Sequence, residues 1–301
     1  MNNLENTDFF EVKISLLIKK ISKYYKSIIT FTILGSFLSI IYSLTLNPIY
    51  ISDSVHVQAE QTRTSSIGKS EGMGSVLNIF SGGGPKTSEV DKTILHLKSR
   101  SFFRNFYEDD DFVAELMAYD YYDPEDKKLV LNNSFDKETS SWLSEKPLFE
   151  KAYEAFHGDV FSVFTDLVSG FITIRIRHVS PEVATRWNNM VVDEINLYTK
   201  IKHKNRASDS IKYYESQLTS TDSLIIQNAL ISGIQNEMSV LALSEVTDEF
   251  SLEIIDRAYN PVQASEPQKT IIVILGTIIA FFISIFSVIF YEIYKFYFKK
   301  A

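Results

Sequence analysis

The chain has no cysteine among its 301 residues. That excludes disulfides, thiolate metal sites and a cysteine nucleophile. Glycine is scarce, and six of the eleven glycines fall between Gly68 and Gly84. Positive charge is in deficit, with a formal net charge of −8. Nucleic-acid partners select basic faces, so none is expected.

Catalytic signatures are missing too. There is no G-x-S-x-G. Gly68-Lys69-Ser70 has the tail of a phosphate-binding loop, but the position needing the first glycine is Arg63. Pro85-Lys86-Thr87 lacks the glycine before its lysine. The histidines (His56, His96, His157, His178, His203) are scattered without a ligand spacing. The acidic run Glu108 to Asp111 reads as a solvated loop rather than a cation site. No catalytic residue, metal or cofactor is expected, and the chain does not read as an enzyme.

Long apolar runs, by contrast, occur twice. Ser27 to Leu46 and Thr270 to Tyr291 carry no charge. Each reaches the roughly 20 residues that a membrane-crossing helix needs. The first has a long polar lead and no small-residue cleavage site after it, so it reads as a retained anchor rather than a signal peptide. Lys13, Lys19, Lys20, Lys23 and Lys26 precede the first span, and Lys295, Lys299 and Lys300 follow the second. Between Asn47 and Arg63 there is no lysine or arginine. Under the positive-inside rule both termini are cytoplasmic and the middle of the chain is outside. Tyr24, Tyr25, Tyr42, Tyr50, Tyr291, Tyr294 and Tyr297 flank the spans as interfacial aromatics do. Small residues recur at every fourth position, Gly35, Ser39 and Ser43 in one span and Gly276, Ala280 and Ser284 in the other. Such stripes let helices pack closely in lipid.

The segment between the spans alternates strand and helix signals. In Tyr50 to Ala59, Ile51, Val55 and Val57 share one face, which predicts a half-buried strand. Residues 61–88 read as a flexible loop, rich in glycine and serine. Glu89 to Tyr107 has helical spacing. Val160 to Phe164, a Ser169-Gly170 turn and Phe171 to Arg177 read as a hairpin, with Ile172, Ile174 and Ile176 on one face. Glu249 to Ile255 is a last strand, expected to share a sheet with the first. Pro181 to Leu218 is the longest periodic segment, with Ser180 as its cap and Pro181 in its first turn. Its stripe runs Ala184, Trp187, Val191, Ile195, Tyr198 and Ile201, and resumes at Ala207, Ile211, Tyr214 and Leu218. A narrow stripe of that length predicts packing on other helices, including those of other subunits. A second helical stretch runs to about Ser244.

Taken in order, these segments resemble the chain-length determinants of surface polysaccharides, the Wzz-type polysaccharide co-polymerases. The motifs that carry the likeness are Asp8-Phe9-Phe10-Glu11-Val12, Pro48-Ile49-Tyr50, Ile94-Leu95-His96-Leu97-Lys98-Ser99-Arg100, Ser180-Pro181-Glu182-Val183-Ala184-Thr185-Arg186-Trp187-Asn188 and Ile254-Ile255-Asp256-Arg257-Ala258. Pro261 and Pro267 match two prolines of the family's proline-rich motif before the second span; Ala258 stands where its first proline would be. The second span has Ala280 and Ser284 in place of the family's glycine cluster.

The resemblance implies a homo-oligomeric ring in the inner membrane, working with a membrane polymerase on a lipid-linked glycan and catalysing nothing itself. The fold class expected is α/β, with a membrane-anchored α+β periplasmic base, long extended helices and two flanking transmembrane helices. Residues 1–26 would be a cytoplasmic N-terminus and 27–46 the first span. Residues 47–269 would be a periplasmic domain holding the long helix 181–218, 270–291 the second span, and 292–301 a cytoplasmic C-terminus. Pro261 and Pro267 would set how the domain joins the span. Arg175, Arg177 and the basic run Lys200, Lys202, Lys204 and Arg206 are candidate contacts for glycan or membrane lipid, with a solvated face as the simpler account. The expected function is regulation of O-antigen chain length in lipopolysaccharide. The alternative is a component of capsule or exopolysaccharide export, favoured by the loop at 61–88. A co-polymerase coupled to a separate kinase is hinted at only by the terminal tyrosines. Topology has a direct check: a periplasm-active reporter fused after Ser140 is expected to be active, and an inactive fusion would reverse the orientation.

Overall fold

The structure is a computed structural model that describes residues 22–59, 89–166 and 168–298. The loop at 61–88, the motif at 8–12, and Lys13, Lys19, Lys20, Lys299 and Lys300 lie outside the described residues. Two compact units emerge: Met1–Pro48 with Ala264–Ala301, and Ile49–Gln263. The first holds helix α1 (Tyr25–Thr45) and the last helix of the chain (Lys269–Phe298). Both are long and apolar enough to cross a membrane.

The second unit is α/β. Its elements are β1 (Tyr50–Gln58), α2 (Glu89–Leu97), α3 (Arg100–Tyr107), α4 (Asp110–Met117), β2 (Tyr119–Asp123), β3 (Lys128–Leu131), β4 (Phe135–Asp136), β5 (Ser141–Trp142), α5 (Phe149–Ala155), β6 (Phe161–Thr165), β7 (Ile172–His178), α6 (Pro181–Leu218), α7 (Leu224–Val246) and β8 (Leu252–Asp256). The last helix, Lys269–Phe298, is α8. The main sheet has order β6-β7-β1-β8 and is antiparallel throughout. The first and last strands share a sheet, as expected, and are neighbours in it. Gly170 closes the β6–β7 turn at φ 74°, a conformation that strains any residue with a Cβ.

Three sequence expectations change, the last of them at the acidic run. The 89–107 segment is two helices, because Ser99 turns extended and its side chain accepts from the Phe102 amide to cap α3. More consequential is β1, which buries Ser52, Ser54 and His56 and leaves Ile51, Val55 and Val57 half-exposed. The polar face is inside because it meets a polar partner. Asn188 of α6 is fully buried. Its Nδ2 donates to the carbonyls of Ser52 (2.8 Å) and Ile174 (3.0 Å), and its Oδ1 accepts from Ser54 Oγ at 2.6 Å. Since the Ser54 hydroxyl proton is spent on Asn188, Ser54 Oγ accepts from His56 Nε2 at 2.7 Å. Serine is also small enough to let the helix close on the sheet. Eight residues on, Asn196 does the same for β8. Its Nδ2 donates to Leu252 O, and its Oδ1 accepts from the Ser251 and Leu252 amides.

Apolar packing fills the rest. Ile172, Ile174 and Ile176 are fully buried on the same sheet face. The first turns of α6 press Trp187 onto Phe112 (ring centroids 4.3 Å) within a cluster of Phe102, Phe103, Phe106 and Phe156. Ser180 caps α6 through the Val183 amide, with Pro181 at N1. The acidic run is also structural: Asp109 caps α4 through the Asp111 and Phe112 amides, with Asp110 and Asp111 in the first turn, where the helix dipole favours them.

Burial of two histidines fixes a pH dependence. His178 Nδ1 accepts from the Ser180 amide, and Nε2 donates to Glu115 O, both at 3.1 Å. The ring is therefore neutral, lying against Trp187 and Tyr119 with the Glu115–Arg186 ion pair beside it. Desolvation lowers His178 and His56 from 6.5 to about 4. The unfolded chain takes up protons first, so stability is complete above pH 6.5 and is lost as pH falls from 6.5 towards 4. Each histidine contributes about 1.4 kcal/mol per pH unit over that window. The midpoint of thermal unfolding is expected to drop steadily between pH 6.5 and 4.5. The doubly substituted His56→Gln/His178→Gln chain should show a much shallower slope; an unchanged slope would mean other groups carry it.

Candidate functional site: the helical hairpin and the span pair

From Asn196 outward, α6 leaves the sheet and pairs with α7 as a helical hairpin. Small residues set the approach. Ala207 and Ser244 are buried, and Gly233 lies so close to the Tyr214 ring that an added Cβ would sit 3.1 Å from it. The basic run is partly used up in holding this hairpin. Lys200 pairs with Asp248 at 3.2 Å, and Lys204 pairs with Glu245. Lys202 lies over the Tyr198 ring at 5.8 Å. Arg206 faces outward in a shallow groove with Asp209, Ser210, Tyr213 and Tyr214. Arg175 is on the sheet, not near this run: it forms a two-pronged pair with Asp53, its opposite on β1, at 2.8 and 2.7 Å. Arg177 is half-buried on the same sheet face. The six basic candidates thus fall into two separate groups.

The hairpin leaves large apolar groups in the open. Leu224, Ile225, Ile226, Ile231, Met238, Leu243 and Val246 are all exposed, Ile225 at 83%. Nearly all of α7's exposed surface is uncharged, with only Glu237 and Glu245 along its length. At the other end of the unit, Tyr259 O accepts from Ser52 Oγ and Thr185 Oγ1, both at 3.0 Å. That fixes the segment after β8, and Pro261 is buried just beyond it. Pro267 belongs to the other unit, two residues before α8.

In the span pair, Gly35 faces Ala280 and Gly276 faces Ser39. The four-residue steps run in opposite directions, so the helices are antiparallel. Tyr24 and Tyr291 meet edge-on at one end (6.1 Å). Ser39 Oγ donates to Ile272 O at 3.1 Å, and Thr277 Oγ1 to Ser36 Oγ at 3.0 Å. Ser43 and Ser284 are buried. A Cβ on Gly35 would collide with the Ala280 methyl, and one on Gly276 with the Ser39 side chain. The outward faces remain apolar, with Phe37 and Phe286 exposed.

No group of three or more His, Asp or Glu side chains is placed to hold a metal among the described residues. The acidic run is engaged by protein: Asp110 pairs with Lys146 and accepts from Trp142 Nε1, and Asp111 accepts from Ser140 Oγ. His96 stacks on Tyr198 with centroids 3.8 Å apart, and burial depresses its pKa. These groups hold the fold together.

Sequence reasoning missed the asparagines and the buried polar face of β1. Asn188 interrupts the apolar stripe beside Trp187, and Ser52-x-Ser54-x-His56 is a polar alternation as regular as the apolar one. Those two interruptions were the available signal.

No family model matches the chain, and no curated protein does. Among solved structures it is similar to a full-length bacterial polysaccharide co-polymerase, with TM-score 0.41, 13% identity, 93% of this chain and 98% of that chain covered. It is also similar to a fragment of WzzB, polysaccharide co-polymerase from Salmonella Typhimurium, with TM-score 0.30, 14% identity, 73% of this chain and 100% of the fragment covered. Both carry the family description that the motifs resemble. At such scores the likeness says nothing of activity, which the residues of this chain must supply.

The cysteine-free chain makes the span pair directly testable. Ser36→Cys with Thr277→Cys should cross-link within one chain under mild oxidation. Adding Gly276→Leu is expected to cut the yield several-fold, and an undiminished yield would show that close approach is not needed. Asn188→Leu should destabilise the unit Ile49–Gln263 by about 3 kcal/mol, the cost of leaving several buried polar groups unpaired. Chemical denaturation followed by Trp187 fluorescence would read it.

Proposed function

We propose that this chain is a non-catalytic inner-membrane regulator of surface-polysaccharide chain length, acting on the O-antigen of lipopolysaccharide. The termini are cytoplasmic and the unit Ile49–Gln263 is periplasmic, by the lysine bias at the two ends. Identical chains assemble side by side into a closed ring, and the ring works with the membrane polymerase on its lipid-linked glycan.

The observation that carries this reading is the exposed apolar surface of α7. A monomer has no use for Leu224, Ile225, Ile226, Met238 and Val246 in water. On a single two-helix hairpin that surface cannot be buried internally. A neighbouring copy covers it, and contact between two different faces of one chain closes into a ring where the rotation permits. The span pair supports the same reading. Its Gly35–Ala280 and Ser39–Gly276 contacts are made within one chain, so the apolar outer faces are left to lipid and to neighbouring chains. Among the described residues, Asp109, Asp110, Asp111, His96 and His178 are spent on caps, pairs, hydrogen bonds and ring stacking.

Deletion of the gene followed by gel analysis of lipopolysaccharide is the primary test. The modal band pattern should collapse to a broad, unregulated distribution; an unchanged ladder would defeat the proposal. Light scattering on the purified protein in detergent should give a multiple of the 34.5 kDa chain mass. Ile225→Asp should shift that multiple towards the monomer.

A further inference from the structure

We propose that the flank of α6 between Arg206 and Tyr214 is a saccharide-binding groove holding one or two pyranose units; this rests on the chain-length reading above. Arg206, Asp209, Ser210, Tyr213 and Tyr214 line a shallow, open groove. They fall at helical spacings of three and four and so share one face of the helix. Tyr213 is 60% exposed, and its ring meets Tyr214 edge-on with centroids 6.0 Å apart. Tyr214 is held from behind by Gly233. One ring is therefore fixed, and it braces another that presents itself to solvent.

The polar lining is equally specific. The side chains of Arg206 and Ser210 and both phenol hydroxyls have no hydrogen-bond partner among the described residues. Among the described residues, Asp209 has only the loose pair with Lys212 at 3.5 Å. An apolar protein partner would strip water from Arg206 and Asp209 and return nothing. A bare anion would meet Asp209. A pyranose fits both halves of the groove. Its C–H face stacks on an exposed phenol ring, and its vicinal hydroxyls pair with a planar guanidinium and a carboxylate.

Position favours a polymer ligand. At about 1.5 Å per residue, Tyr213 stands roughly 25 Å beyond Asn196, well clear of the sheet. The exposed Leu224, Ile225, Ile226, Met238 and Val246 sit on α7, whereas the groove lies on α6 and is lined by charged, hydroxyl and phenol groups. A single such groove binds weakly. A repeating glycan that touches the grooves of several copies gains by effective concentration, which gives assembled chains a reason to respond to glycan length.

The test uses the full-length protein in its own cells, with the photo-reactive amino acid p-benzoylphenylalanine replacing Gln217, one turn beyond Tyr213. Irradiation is expected to give an adduct ladder that periodate destroys. Tyr213→Ala or Arg206→Gln in that background should lower the adduct at least fivefold, and Tyr213→Phe, which keeps the ring, should retain most of it. An adduct that is only a second copy of this chain, or no glycan adduct at all, would overturn the groove. So would a glycan adduct that Tyr213→Ala leaves undiminished. If deletion of the gene leaves the lipopolysaccharide ladder unchanged, the chain-length reading falls while a glycan adduct at position 217 still stands. If deletion alters the ladder and no glycan adduct forms, only the groove falls.

Discussion

The amide of Asn188 sets the distance between the long helix and the sheet. It is fully buried, both of its N–H donors are bound to strand carbonyls, and its oxygen holds Ser54. A buried amide is costly unless its partners are supplied, so the sequence of β1 is bent to supply them. That is why serine and histidine, not isoleucine and valine, face the core. The same bond fixes the rotation of α6 about its axis. Trp187 then falls on Phe112, Asn196 on β8, and the distal half of the helix leaves the sheet with Ala207 and Tyr214 turned towards α7. Much that lies beyond residue 188 follows from where one side chain is satisfied.

The parts of this arrangement that could be read beforehand are those driven by apolar periodicity. Two uncharged runs become two long apolar helices, and Ile172, Ile174 and Ile176 choose the buried face of β7 without help. The 38-residue helix declares itself through Ser180, Pro181 and a sustained stripe. What could not be read is what hydrogen bonding decides against that grain. The face of β1 depends on a residue more than a hundred positions away. The run Glu108 to Asp111 looks like solvated charge until its amide partners are seen, when it becomes a helix cap. Ser99 breaks a helical pattern that Val90, Ile94, Leu97 and Phe102 would otherwise carry through. The short pairs β2–β3 and β4–β5 are too brief to show a period at all.

The candidate site divides in the same way. Stripes of small residues in the spans were visible because only their spacing matters. The basic residues were visible as charges, but charge alone does not say whether a cation is free. Arg175 is opposite Asp53 only because β1 and β7 pair in this register, and Lys200 and Lys204 meet Asp248 and Glu245 only because α7 returns alongside α6. Arg206 shares neither fate, and it is the member of the run that ends in an outward-facing groove.

The attachment of the hairpin is graded along its length. At the root Asn196 is bolted to β8, and one and two turns higher Lys200 and Lys204 are bridged to the returning chain. Farther out the Tyr214 ring lies against Gly233 of α7. Mechanically this is a cantilever, clamped at its root and tied by side-chain contacts as far out as Tyr214. Its thermal bending grows towards the tip, so the root keeps a fixed spacing while the tip is compliant.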